Sequence, residues 1–129
     1  MKFRRDIKKQ KGNLGEHIAC QYLEARGFFI VARQYHTRAG EVDIIAWDQQ
    51  LNELVFVEVK ARTGMNFGWP EESVNAKKKE RWRKSAFQFL QEKYHTHIPR
   101  YRFDIIAIML NSIQRTAQVS HFKNIAIAD

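Results

Sequence analysis

The stretch LVFVEVKAR, Leu54 to Arg62, decides how this chain folds. Side chains alternate along a strand, so Val55, Val57 and Val59 share one face while Leu54 and Phe56 share the other. A short segment that is apolar on both faces belongs inside a covered sheet rather than at its edge. Glu58 and Lys60 continue the Leu54–Phe56 face, where burying charge costs several kcal/mol unless it is paired or bound. The strand is therefore expected to run from a hydrophobic interior to a charged end that has chemical work to do.

The segment GEVDIIA, Gly40 to Ala46, has the same design. Strand alternation puts Glu41 and Asp43 on the face of Ile45, with Val42, Ile44 and Ala46 opposite. WDQQLNEL is short and polar, so the two strands form an antiparallel hairpin. A turn near Asp48 to Asn52 sets Asp43 close to Glu58. That register gathers Asp43, Glu58 and Lys60 into one small volume, with Glu41 nearby at the sheet end.

Helical spacing appears from Asn13 to Arg26. Leu14, Ile18, Tyr22 and Ala25 form a stripe that Ala19 and Leu23 widen, and Gly27 supplies the stop. Glu16 lies at the edge of this arc, placed to join the acidic group if the helix packs on that face. FFIVARQY reads as a first strand. After Arg62, TGMNFGWPEES reads as a mobile loop, and Pro70 with Glu71 and Glu72 as a helix start. That helix runs to about Tyr94 with Trp82, Ala86, Phe89 and Leu90 as its core stripe. Lys79 and Arg83 fall inside the apolar arc, so they snorkel or the phase differs. YRFDIIAIML is a further strand, and after the turn NSIQRT a weaker one spans Gln118 to Ile127. Residues 1–11, with six Lys or Arg against one Asp, read as a flexible basic arm. Residues 12–129 form a single α/β domain, a mixed sheet flanked by helices.

Composition narrows the function. The 129 residues are 44% hydrophobic, enough for one packed core. No apolar run reaches bilayer length and none resembles a signal peptide, so a soluble, cytoplasmic protein is expected. One cysteine, Cys20, excludes an internal disulfide and a multi-cysteine metal site, and reads as a small buried hydrophobe. The net charge of +8 favours a polyanionic partner, nucleic acid ahead of membrane.

Carboxylates crowded in a poor solvent raise one another's pKa. A hard divalent cation relieves that conflict, since Mg²⁺ takes one or two carboxylates together with waters and phosphate oxygens. A lysine beside them holds a phosphate oxygen or positions a water. These are the parts of phosphodiester hydrolysis. Alone, Glu-x-Lys is ordinarily a solvated ion pair and Asp43 a strand-end polar residue. Their convergence on one hairpin makes the chemical reading.

Four segments in order, GEHIACQYLEARGF, GEVDIIA, LVFVEVKAR and RFDIIAI, resemble the YraN family of uncharacterised bacterial proteins over nearly the whole chain beyond the arm. That family is similar to archaeal Holliday-junction resolvases and to the wider PD-(D/E)xK nucleases. The resemblance implies a restriction-endonuclease-like core of order α-β-β-β-α-β. It matches Asp43 to the motif's aspartate, Glu58 to its acidic ligand, Lys60 to its lysine and Glu16 to the acid of the first helix. The main-chain carbonyl of Val59 is then a further metal ligand. Two departures stand out: Val42 replaces the motif's proline, and Glu41 has no fixed place, so it ranks as a supporting residue. The implied activity is an endonuclease using Mg²⁺, with Mn²⁺ as substitute, on DNA that is branched or otherwise structured. A homodimer is left open. A rival reading is a nucleic-acid-binding module that keeps the fold without cleaving.

The remaining features carry less. Lys77, Arg81 and Lys84, with Arg62, are expected to track phosphate, although a solvated helix face explains any one of them equally well. Phe67 and Trp69 either wedge against bases or pin their loop to the core. His95 and His97 lack further zinc ligands. His17, His36 and His121 carry no spacing signal. Asp104 either orients Arg102 or supports the sheet end, and the sequence does not choose.

Overall fold

Both apolar faces of Leu54 to Val57 are covered, one by each of two helices. The computed structural model describes residues 2–63 and 75–127, with residues 2–9 as backbone. In chain order the elements are α1 (Lys2–Ala25), β1 (Phe28–His36), β2 (Glu41–Asp48), β3 (Glu53–Thr63), α2 (Ala76–Lys93), β4 (Tyr101–Asn111) and β5 (Thr116–Phe122). The five strands form one sheet in the order β1-β2-β3-β4-β5. β1, β2 and β3 are an antiparallel meander, β4 lies parallel to β3, and β5 returns antiparallel. A parallel neighbour needs a long crossover, and α2 lies in it. The α/β layout and its α-β-β-β-α-β order are those expected from the sequence, and the weaker final strand follows as β5 at the far edge. No described helix is long and apolar enough to cross a membrane.

The sheet's two layers divide along the alternation of β3. On one side Leu54, Phe56, Phe103 and Ile105 pack with Trp82, Ala86, Phe89 and Leu90 of α2. On the other, Val55, Val57, Ile106 and Ile108 pack with Ala19, Cys20 and Leu23 of α1. Cys20 is buried there as a free thiol, as its sequence context suggested.

Both helices differ from expectation. α1 begins at Lys2 rather than Asn13, so the basic stretch assigned to an arm is helical in backbone. Lys, Arg and Gln are good helix formers and no proline interrupts them. The buried stripe is Gly15, Glu16, Ala19, Cys20 and Leu23, whereas Leu14 is 48% exposed and Ala25 is exposed. The turn toward Glu16 has a steric cause. A Cβ on Gly15 would stand 2.8 Å from Ala61 Cβ, so α1 approaches β3 at a distance that only glycine permits.

α2 is capped by Asn75, whose Oδ1 accepts the Lys78 N–H at 2.9 Å. The helix start expected at Pro70, the loop before it, and Phe67 and Trp69 lie outside the described residues. Ser85 joins the buried stripe, which leaves Lys79 half-buried and Arg83 exposed, paired with Glu80 at 2.6 Å. The final strand ends at Phe122 rather than Ile127, because Asn124 turns the chain with φ 58° and gives its N–H to Asp104.

Asp104 does orient Arg102. The guanidinium reaches Asp104 and Asp48 at 3.0 Å each and Glu53 at 3.2 Å. Asp104 also takes His121 Nε2 at 2.8 Å, and Tyr22 contacts the other ring nitrogen at 3.3 Å. Burial opposes charge on Asp104, but His121, Arg102 and the Asn124 N–H outweigh it and hold the carboxyl below its usual range. This network ties α1, β2, β3, β4 and β5 together toward the end of the sheet where β2 finishes and β3 begins.

Candidate active site

The β2–β3 ladder runs from Asp48↔Glu53 to Ile44↔Val57. Past that point β3 stays with β4 as far as Thr63↔Leu110, while β2 stays with β1 as far as Glu41↔His36. The two strands part, and backbone groups of β3 facing the gap lose their partners. Asp43 fills part of it: its Oδ2 accepts the Val59 N–H at 2.8 Å. The N–H and C=O of one strand residue point toward the same neighbour, so the Val59 carbonyl is directed into the same gap.

Strand alternation breaks at Asp43. Val42 packs with Ile45 in the α2 layer, whereas Ile44 and Ala46 lie in the α1 layer. Asp43 and Ile45 were expected to share a face, with Val42 opposite. Two consecutive residues cannot lie between same-face neighbours in a regular strand, so β2 is irregular here. The distortion continues into β1, whose register slips between Ile30 and Ala32 and whose Gln34 has φ 50°.

Glu16, Asp43, Glu58 and Lys60, the four residues expected to carry chemistry, line one cleft of about 520 Å³. Val59 and Arg62 line it too. Lys60 Nζ stands 3.4 Å from Glu58 Oε1, and the lysine side chain is only 13% exposed. Glu58 also borders a smaller cavity of about 140 Å³ with Glu41, Lys78 and Arg81. It thus stands on the divide between the acidic cleft and a basic wall.

The carboxyls are strained electrostatically. Burial, then the charge of Glu58, pushes Asp43 up to about 8, against the opposing pull of the Val59 N–H; Glu16 and Glu41 add to the rise. Burial also raises Glu16, opposed by the Gln34 side chain and Arg33. Glu16 is 8% exposed and its Oε1 has no partner among the described residues, so the residue read as a boundary position is a buried acid.

Among the described residues no three His, Cys, Asp or Glu side chains converge closely enough to cage an ion. Among these residues the site is therefore not a preformed three-carboxylate cage. What it offers is two carboxylates and a carbonyl, with Glu16 on the α1 wall. Such hard oxygen donors suit Mg²⁺, which keeps waters and phosphate oxygens in its remaining positions.

The basic residues divide. Arg62 lines the cleft and Arg81 the adjoining cavity. Lys77 is exposed and lines neither, and Lys84 lies 3.9 Å from Glu80. The stripe from Trp82 to Leu90 faces the sheet, which brings Lys78, four residues before Trp82, over Glu58 instead. Lys78 was missed, although that spacing was visible. The neighbouring Lys60 ammonium lowers its pKa. Lys11 was read as part of the arm, yet it lines the cleft and donates to Thr63 Oγ1 at 3.1 Å. Glu41 supports the rim, 3.5 Å from His36. His95 and His97 are exposed.

A mixed sheet whose central hairpin parts over an aspartate and a Glu-x-Lys, with a helical glutamate beside them, matches the α/β layout that the resemblance implied. The chain belongs to the Uncharacterised protein family UPF0102, the family recognised above as YraN, whose model matches residues 15–108. It is 43% identical over 117 residues to a UPF0102 protein of Desulforamulus reducens, covering 91% of this chain and 95% of that one. A UPF0102 protein of Pelotomaculum thermopropionicum is 41% identical over 119 residues, covering 92% and 97%. One from Caldanaerobacter subterraneus is 40% identical over 119 residues, covering 91% and 94%.

Proposed function

We propose that this protein is a divalent-metal-dependent endonuclease that hydrolyses phosphodiester bonds in DNA, branched or otherwise structured DNA in particular. The observation that carries this reading is the Asp43 carboxylate held on the Val59 N–H in one cleft with the Glu58–Lys60 pair. Asp43, Glu58 and the Val59 carbonyl would hold Mg²⁺ or Mn²⁺, with Glu16 contributing from the helix. When bound, the ion supplies charge neutralisation at the phosphate and an acidified water. Lys60, kept in place by Glu58, holds a phosphate oxygen or orients the attacking water. Arg62, Lys78 and Arg81 grip the flanking backbone. A homodimer would present two such clefts to one branched substrate, and a DNA substrate places this work in the cytoplasm.

One observation favours a second reading, a nucleic-acid-binding module without cleavage: among the described residues the carboxylates do not form a closed cage. A single experiment separates the two. Four-way-junction, flap and single-stranded DNA are incubated with Mg²⁺ or Mn²⁺ and with wild type, Asp43→Ala and Lys60→Ala. The nuclease reading expects cleavage by wild type and a loss of roughly a hundredfold or more in each variant. Cleavage undiminished in both variants assigns the activity to another site or a contaminant. Binding without cleavage, with steep salt dependence and no metal requirement, supports the module.

A further inference from the structure

A second groove opens from the acidic cleft. It shares Lys11 and Thr63 with that cleft and runs between α1 and the β4–β5 hairpin, enclosing about 620 Å³. Leu14 and Ile18 form one wall, and Leu110 and Ala117 the other. Lys11 stands at its inner end and Arg115 at its outer end. Leu14 remains 48% exposed, an apolar residue off the buried stripe of α1.

At the outer end the hairpin tip carries Ile113, which is 93% exposed. The tip is a built turn. Asn111 Oδ1 accepts the N–H of Ile113 at 3.1 Å and of Gln114 at 3.0 Å, and Arg115 closes the turn at φ 54°. An isoleucine so exposed at a held tip packs on nothing among the described residues.

The groove has apolar walls and a cation at each end, and it leads directly to the acids. A duplex presents phosphates outward and would leave such walls uncovered. An unpaired strand presents bases to apolar walls and phosphates to lysine and arginine. Apolar side chains such as isoleucine also serve as wedges at unstacked base steps. We infer that this groove seats an unpaired nucleic-acid strand flanking the scissile phosphate, with Ile113 as a wedge where that strand leaves the duplex. The inference rests on the nuclease reading and names its substrate class: DNA with a single-stranded flank.

The test is binding without divalent metal, read by fluorescence anisotropy. The probes are a blunt duplex, the same duplex with a single-stranded flap, and the flap strand alone. Wild type is expected to bind flap and single strand roughly tenfold more tightly than blunt duplex. Leu14→Glu and Ile113→Ser, both at exposed positions, are expected to erase that preference while leaving blunt-duplex affinity and melting temperature unchanged. Equal affinity for all three probes in wild type, or a preference intact in both variants, overturns the groove assignment and leaves the nuclease reading standing. No binding to any probe sinks both. Concentration-dependent self-association lost in Leu14→Glu, with DNA affinity unmoved, gives the groove to a second copy of the chain and overturns the inference.

Discussion

Asp43 and Val59 are joined across the parting of β2 and β3, with the carboxylate Oδ2 taking the strand N–H at 2.8 Å. A side chain stands where a neighbouring strand's carbonyl would otherwise complete the ladder. The contact fixes Asp43 beside Glu58 and turns the Val59 carbonyl toward the same space. It also keeps a buried acid in a place that disfavours its charge.

The consequence for stability has a definite sign. Asp43 rises from 3.8 to about 8 on folding, so its neutral form stabilises the metal-free fold below pH 3.8, and that contribution is lost as pH climbs through about 8. Asp43→Asn keeps a neutral side chain able to accept from Val59 at every pH. Thermal melting without metal should find the variant more stable than wild type by about 1–3 kcal/mol at alkaline pH. The gap should close as the pH approaches 3.8.

Gly15 governs how closely α1 sits on β3. Gly15→Ala places a Cβ 2.8 Å from Ala61 Cβ and should destabilise the protein by about 1–3 kcal/mol. In the same helix, Gly12→Ala meets nothing within 4 Å among the described residues, so it should stabilise by about 0.5–1 kcal/mol. Chemical denaturation of the two variants reads both signs.

Lys78 and Lys77 are neighbours in sequence with different surroundings. Lys78→Ala removes an ammonium from the wall facing Glu58 and should weaken DNA binding about tenfold and flatten its salt dependence. Lys77→Ala lies outside both cavities and should change affinity by less than about twofold. Titrations at two salt concentrations check the contrast.

Arg102 stands apart from the cleft and holds the sheet. Arg102→Met strands Asp104, which is 0% exposed, and Asp48, which is 4% exposed, and should cost about 3–5 kcal/mol. Both acids are held below 3.8, so the stability they contribute is present above that pH and lost below it, as the pH falls through their lowered folded-state values. Urea melts at neutral and acid pH should therefore show the variant's deficit shrinking on acidification.

The fold was legible because its signals are local. Alternation marked Leu54 to Val59 as a central strand, and the turn from Asp48 to Asn52 set the register. The observed ladder ends at Ile44 with Val57, one step short of Asp43 and Glu58, and both of these line the cleft beyond it. What stayed hidden depends on contacts between elements. The phase of α1 follows from Gly15 meeting Ala61, which no hydrophobic pattern encodes. The break at Asp43 follows from β2 leaving β3, with Gln34 bent beside it. Lys78 was overlooked because three adjacent lysines look alike until Trp82 fixes which one faces the sheet.

The most direct measurement is anomalous diffraction from a crystal soaked in Mn²⁺. The account predicts one peak bounded by Asp43, Glu58 and the Val59 carbonyl, abolished in Glu58→Ala. A soaked crystal without a peak there, or a peak unchanged in Glu58→Ala, would contradict it.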